Sequence, residues 1–335
     1  MITGLPPLTP PMTSSKASPS SSQLLRAWRW VPALLLTVVC SCSYACVMLL
    51  VLLPAAGAME PFGVELVPAG LVRTQVLCAL VGYHVLWVLA ALAAVTTART
   101  PPGHIPLWLY SREPGDQAYF HNVLQAVEKK LDGTLRFCRK CGAFKPDLAH
   151  HSRQLGLCVL CYQHFDIWSN NGIGFYNYKA YLLMLFYGAL AHAATLALLL
   201  PGTLQAWPSA DARLVLLALW TGGSSSVLAF AWLACAASAL LGAGALAWLL
   251  FHAMLVAQGR TAHSYFRQRS LSPLKPPKPP LVGRPFDFGP VSNFGRACGK
   301  HPLLWLLPTN QGVDGNGIFF EINLGAASEG GVRYN

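Results

Sequence analysis

Long apolar runs separated by polar segments are the main pattern of the chain, and they predict membrane-spanning helices. The first run, 30–53, has 24 residues, enough for a helix to cross a hydrocarbon core about 30 Å thick. Further spans are expected at about 75–97, 181–200 and 232–257. The apolar stretch 214–231 precedes the last span, and we interpret it as lumenal or re-entrant, associated with the membrane without crossing it.

Composition and charge support this interpretation and give it an orientation. Hydrophobic residues make up 54% of the 335 residues, charged residues make up 11%, and the mean hydropathy is +0.43. These values exclude an ordinary soluble domain, in which about a quarter of residues are charged. The net charge of +11 is also typical of nucleic-acid binding. However, 22 of the 24 basic residues lie before the first span, between the second and third spans, or after the last. This asymmetry predicts cytoplasmic termini and a cytoplasmic central loop, and it argues against nucleic acid as a partner.

The central loop contains a pattern of cysteines that is typical of zinc sites. Cys138-x-x-Cys141 is followed after sixteen residues by Cys158-x-x-Cys161, and two such pairs can close a tetrahedron around Zn²⁺. His151 lies between the pairs and can replace one of the thiols. The spacing therefore predicts a zinc site, and it leaves open whether the ligands are four cysteines or three cysteines with His151.

These patterns divide the chain into five segments. They are a disordered cytoplasmic tail (1–25), a transmembrane hairpin (26–97), a cytoplasmic cysteine-rich zinc domain (98–180), a second transmembrane region (181–257) and a cytoplasmic tail (258–335). The expected fold class is an all-α integral membrane protein with four transmembrane helices and a small zinc-binding domain between spans two and three. The lipid bilayer is the expected partner, together with other membrane proteins, and the expected location is the ER, the Golgi or the plasma membrane.

From Cys138 to Tyr178 the sequence resembles the DHHC protein S-acyltransferases, or palmitoyltransferases, over 41 positions without a gap. The resemblance implies four spans, a cytoplasmic cysteine-rich domain, and transfer of an acyl group from palmitoyl-CoA to protein cysteines. A weaker resemblance continues at Gly259–Ser264, a decayed Thr-Thr-x-Glu element, and at Asn293. The matching residues within the 41 positions are Cys138, Cys141, Lys145, Pro146, His151, Cys158, Val159, His164, Trp168, Asn171, Gly174, Asn177 and Tyr178.

The resemblance also implies a metal content, because the family holds two zinc ions, each bound by three cysteines and one histidine. The residues at the first ligand set are all present, and they are Cys138, Cys141, His151 and Cys158. At the second set every ligand is lost, and the residues there are Ser152, Leu155, Phe165 and Gly172. We therefore expect one structural zinc, with apolar packing of Leu155 and Phe165 in place of the second ion.

The tetrapeptide that gives the family its name is altered in the same region. The family's Asp-His-His-Cys becomes Gln163-His164-Phe165-Asp166, so that the histidine base remains and the cysteine nucleophile is replaced by aspartate. Transfer of the acyl group to the aspartate carboxylate would give an acid anhydride, which lies uphill from a thioester. Cys161, five residues earlier, is the nearest alternative thiol.

These changes predict a catalytically inactive relative that acts as a partner or regulator of other membrane proteins. Two alternatives remain at this point. One is an active palmitoyltransferase with chemistry rebuilt on Cys161, which would then use palmitoyl-CoA. The other is an unrelated zinc-domain adaptor or transporter.

Overall fold

The computed structural model describes residues 28–57, 73–111, 116–130, 132–206, 224–269, 284–309 and 315–323. The predicted tail 1–25 and the first part of the predicted membrane-associated segment, 214–223, lie outside the described residues. In chain order the helices are α1 Val31–Ala55, which includes a π-helical turn at Met48–Leu52, α2 Arg73–Arg99, α3 Gln117–Leu124, α4 Tyr178–Ala206, α5 Ser224–Ala257, α6 Ala262–Arg269 and α7 Pro290–Cys298.

Four of these helices, α1, α2, α4 and α5, are long and apolar enough to cross a membrane. This confirms the predicted fold class of a mostly helical integral membrane protein with four spans. A helix satisfies all its backbone hydrogen bonds internally, which is what the hydrocarbon core requires.

Two of the spans are longer than the hydropathy pattern predicts. Helix α4 continues through Pro201 to Ala206, six residues beyond the predicted end. Helix α5 begins at Ser224, so that residues 224–231 belong to the same helix as the predicted span 232–257 and do not form a separate segment. The stretch 224–231 contains neither glycine nor proline, and nothing in it interrupts the helix.

The membrane unit consists of residues 31–96 and 180–251, as far as they are described. Its interior contains several polar side chains that pair with one another: Tyr44 Oη lies 2.7 Å from His84 Nε2, and Tyr83 Oη lies 2.9 Å from Thr195 Oγ1. Tyr44 and Tyr83 also stack, with ring centroids 5.6 Å apart. Such pairing is needed because water is absent from the hydrocarbon region.

The second unit, here called the cysteine-rich unit, comprises residues 1–30, 97–179 and 252–335 as far as they are described. Three short antiparallel hairpins form its centre, around a buried core that includes Leu135, Phe144 and Leu160. The strands are β1 Phe137–Cys138 with β2 Ala143–Phe144, β3 His150–Ser152 with β4 Leu157–Val159, and β5 His164–Asp166 with β6 Asn171–Ile173.

Within the cysteine-rich unit, two asparagines hold hairpin β5–β6 to the end of α2. Asn171 Nδ2 donates to the carbonyl oxygens of Thr97 and Thr100 at 3.0 and 2.9 Å. Asn177 Nδ2 donates to Gly172 O at 2.8 Å, while its Oδ1 accepts from Gly174 N at 2.9 Å. The last carbonyl groups of a helix have no partner within the helix, and these amides supply one.

Candidate functional site

The first two hairpins bring together Cys138, Cys141, His151 and Cys158, whose ligand atoms all lie within 4.8 Å of one another. Cys138 ends β1, and Cys141 lies within the β1–β2 turn, in which Gly142 has a φ of +65° and donates its N–H to Cys138 O at 2.8 Å. His151 and Cys158 are directly opposite each other in the β3–β4 register. Of the two ligand sets that the cysteine spacing left open, the geometry assembles the set with His151.

The distances within this group fit a tetrahedral metal site. His151 Nδ1 lies 3.6 Å from Cys138 Sγ, 3.2 Å from Cys141 Sγ and 3.9 Å from Cys158 Sγ. Ligands at ordinary zinc bond lengths are separated by about 3.6–3.8 Å in a tetrahedron. Hydrogen bonding from Cys158 and from His151 also lowers the pKa of Cys141 to about 5, against the opposing effect of burial. The group can therefore hold a metal ion.

Two neighbouring residues lie outside this group. Cys161 adopts a φ of +48°, and burial, together with the charges of Glu128 and Asp147, raises the pKa of its thiol well above the usual range. His150 is buried, where it accepts from Arg136 Nη1 at 3.3 Å and its ring lies 3.8 Å from that of His263. Because successive side chains of a strand point to opposite faces, His150 cannot share the metal group with His151.

The four residues at the family's second ligand set are also neighbours, but carbon atoms fill the space between them. Phe165 and Gly172 are opposite each other in the β5–β6 register. A Cβ atom added to Gly172 would lie 2.6 Å from Leu155 Cδ1, so that leucine packs directly against the glycine. Ser152 Oγ accepts from Leu155 N at 3.4 Å. On the other side, the guanidinium carbon of Arg29 lies 5.1 Å from the centre of the Phe165 ring.

Asp166, at the position of the family's nucleophile, is buried and bound to the turn that follows it. Its Oδ2 accepts from Ser169 N at 2.7 Å and from Ser169 Oγ at 2.6 Å. An aspartate that accepts from residues further along the chain in this way forms a turn of its own. The Asp-x-x-Ser spacing is visible in the sequence and is the signal that could have predicted this turn.

Gln163, at the position of the family's aspartate, binds the start of α6. Its Oε1 accepts from Ala262 N at 2.8 Å. Thr261 and Ser264 complete the helix start, since each hydroxyl oxygen accepts from the backbone N–H of the other residue at 3.2 Å. These contacts satisfy N–H groups that a helix leaves unpaired at its start. The decayed element at Gly259–Ser264 was visible in the sequence, but its contact with Gln163 was not.

His164 lies beside a second histidine. Its ring centroid is 5.4 Å from that of His252, whose Nδ1 lies 2.9 Å from Tyr178 Oη. Burial lowers the pKa of His164, and the charge of Asp166 acts in the opposite direction. Because the reference pKa of histidine is about 6.5, the imidazole is neutral at pH 7. The site thus keeps a neutral histidine next to Asp166, which stands at the position that the resemblance assigns to the cysteine nucleophile.

Comparisons with known proteins agree with the resemblance noted in the sequence. A family model described as DHHC palmitoyltransferase matches residues 132–269. The chain is 30% identical over 219 residues to the probable protein S-acyltransferase 16 of Arabidopsis thaliana, an alignment that covers 65% of this chain and 71% of that protein. It is also 27% identical over 329 residues to the palmitoyltransferase ZDHHC2 of Homo sapiens, covering 91% of this chain and 79% of the relative. The chain therefore belongs to the DHHC protein S-acyltransferase family.

Proposed function

We propose that this membrane protein is a catalytically inactive member of its family, and that it acts as a partner or regulator of other membrane proteins. The observation that carries the proposal is the state of Asp166. Its carboxylate occupies the nucleophile's position and accepts two short hydrogen bonds from Ser169.

The chemistry of acyl transfer supports this proposal. A cysteine thiolate accepts an acyl group from acyl-CoA as a thioester, so that the exchange is nearly balanced and can be followed by transfer to a substrate thiol. The same attack by the Asp166 carboxylate would give a mixed anhydride. The carboxylate would also first have to give up the hydrogen bonds that it accepts from Ser169. In addition, Gln163 carries no charge with which to stabilise an imidazolium on His164.

We further propose that the metal group binds one structural zinc ion and that the cysteine-rich unit is cytoplasmic. Three thiols and one imidazole at tetrahedral separations suit Zn²⁺. Palmitoyl-CoA would be a substrate of this protein only if the protein were an active enzyme. The bias of basic residues supports cytoplasmic termini and a cytoplasmic cysteine-rich unit, in the ER, the Golgi or the plasma membrane.

The test uses the purified full chain in lipid nanodiscs, incubated with labelled palmitoyl-CoA. We expect no label that neutral hydroxylamine releases, because the release identifies a thioester. Cys161→Ser is the matched variant. A hydroxylamine-labile adduct that disappears in Cys161→Ser would overturn the proposal and favour chemistry rebuilt on Cys161.

A second variant asks how much of the site has changed besides the nucleophile. We expect Asp166→Cys alone to form no stable acyl-enzyme, because Gln163 remains engaged with Ala262 N and provides no charge for His164. The double variant Gln163→Asp with Asp166→Cys is the matched comparison. Acylation of the single variant at the level of the double variant would contradict this expectation.

A further inference from the structure

The segment from Pro290 to Leu307, here called the C-terminal segment, exposes large apolar side chains close together. It consists of α7 and a 3-10 turn at Pro302–Leu304. Val291 is 83% exposed, Leu303 is 92% exposed, and Leu307 is 45% exposed. Concentrated apolar exposure of this kind usually marks a surface that contacts another apolar phase.

The two parts of the C-terminal segment form a single folded element. The rings of Phe294 in α7 and Trp305 after the 3-10 turn stack with centroids 6.4 Å apart. Trp305 Nε1 also donates to Gly299 O at 2.6 Å. The chain therefore turns back on itself after α7, and its exposed apolar side chains are presented by a fixed structure.

Contacts within the cysteine-rich unit place this element at the membrane boundary. Asn293 Nδ2 donates at 3.0 Å to the carbonyl oxygen of Ala257, the last residue of span α5. Its Oδ1 accepts from Phe288 N at 3.0 Å, which fixes the amide in position. At the other end of α7, burial raises the pKa of the Cys298 thiol, and the nearby charge of Lys179, the second residue of span α4, acts in the opposite direction. Helix α7 thus lies next to the ends of two spans.

The charges of the C-terminal segment suit the same location. Between Pro290 and Leu307 there is no aspartate or glutamate, while Lys300 and His301 are present; a third basic residue, Arg296, pairs with Glu321. Basic side chains near apolar ones attract the anionic headgroups of a bilayer. A tryptophan, here Trp305, is favoured at the membrane–water interface.

We propose that the C-terminal segment is an interfacial anchor that lies on the bilayer surface, with Val291, Leu303 and Leu307 inserted among the lipids. The binding partner of the segment is the lipid bilayer itself, in the leaflet on the side of the cysteine-rich unit. The proposal is independent of whether the chain transfers acyl groups.

The experiment places an encoded fluorescent amino acid at position 303 of the full chain, reconstituted one chain per nanodisc in phosphatidylcholine with a minor fraction of phosphatidylserine. The matched control carries the same fluorophore at Asp132, an exposed charged residue of the same unit. Unchanged metal content and elution volume show that both proteins fold. We expect lipids with brominated acyl chains to quench the probe at 303 several-fold more than the probe at 132, and aqueous iodide to show the reverse order.

Equal quenching of the two probes by brominated lipid would overturn the proposal. A probe at 303 that is blue-shifted but not quenched by either agent would also overturn it, because such a probe is covered by protein. As a second measurement, Leu307→Ser should reduce the lipid quenching at 303, whereas Leu307→Met should retain it. If the serine variant leaves the quenching unchanged, the inserted surface is not the one proposed.

Discussion

The two halves of the cysteine-rich unit differ in what holds their hairpins together. In the half built from β1–β4, four ligand atoms lie within 4.8 Å of one another. In the half around β5–β6, Leu155 from the β3–β4 turn packs on Gly172, and Asp166 and Gln163 make hydrogen bonds to backbone groups. The comparison teaches that packing and hydrogen bonds together can hold a hairpin at positions where the family resemblance leads us to expect metal ligands.

The comparison also separates the residues that could bind a metal from those that make structural hydrogen bonds. The metal group keeps the residues that a zinc knuckle needs, whereas the neighbouring tetrapeptide has residues that stabilise turns and a helix start. Gln163 and Asp166 both accept hydrogen bonds in the fold. Each of these residues, which differ from those of the family tetrapeptide, therefore has a structural role that needs no catalysis to explain it.

The largest effect is expected from removing a ligand in the first half. Cys158→Ser should release the metal and unfold the cysteine-rich unit, because a structural zinc contributes on the order of 10–16 kcal/mol to a small domain. Metal analysis and limited proteolysis in nanodiscs measure the effect. Cys161→Ser is the control, since its thiol lies outside the group. Normal metal content in Cys158→Ser would show that the ligand set is wrong.

The next test converts the second half back into a metal site. The combination of Ser152→Cys, Leu155→Cys, Phe165→His and Gly172→Cys should raise the zinc content from one to two per chain, because the four positions are still neighbours. Metal analysis of the purified protein decides the outcome. The same combination with Gly172 unchanged is the control, and it should bind the second ion weakly. A content that stays at one would mean that the backbone of this half has shifted.

A smaller effect is expected from weakening the packing of the second half. Leu155→Ala should lower the free energy of unfolding of the unit by about 1–2 kcal/mol. This is less than for a fully buried leucine, because Leu155 is half-buried. Leu155→Met is the control, because it keeps most of the volume. The zinc content should remain unchanged in both variants. Loss of metal in Leu155→Ala would show that the two halves are not independent.

The smallest change concerns the reactivity of Cys161, between the two halves. Its raised pKa predicts that the native protein reacts with iodoacetamide at this thiol far more slowly at pH 7 than an ordinary cysteine does, since only the thiolate attacks. Because the folded pKa lies above the usual value, the rate should rise as the pH is increased. Mass spectrometry of the digested protein measures it, with the denatured chain as the control. Rapid alkylation of the native thiol would reopen the possibility of a catalytic Cys161.

The sequence by itself determined the four spans, the pairs of cysteines and the absence of a thiol at position 166. Each of these depends on local composition or on short, fixed spacing, which is readable along one chain. The sequence also indicated that Leu155 and Phe165 would replace the second metal, because large apolar residues stand where ligands are expected.

Only the tertiary structure decided how the altered residues are used. Gln163 meets the backbone of Ala262, 99 residues away, and Asn293 meets Ala257, 36 residues away. It also decided that His151, and not Cys161, joins the metal group, because His151 is opposite Cys158 in the β3–β4 register, whereas Cys161 lies beyond β4 in a turn with a φ of +48°. Such contacts depend on where distant segments pack, and no local pattern of residues encodes that position.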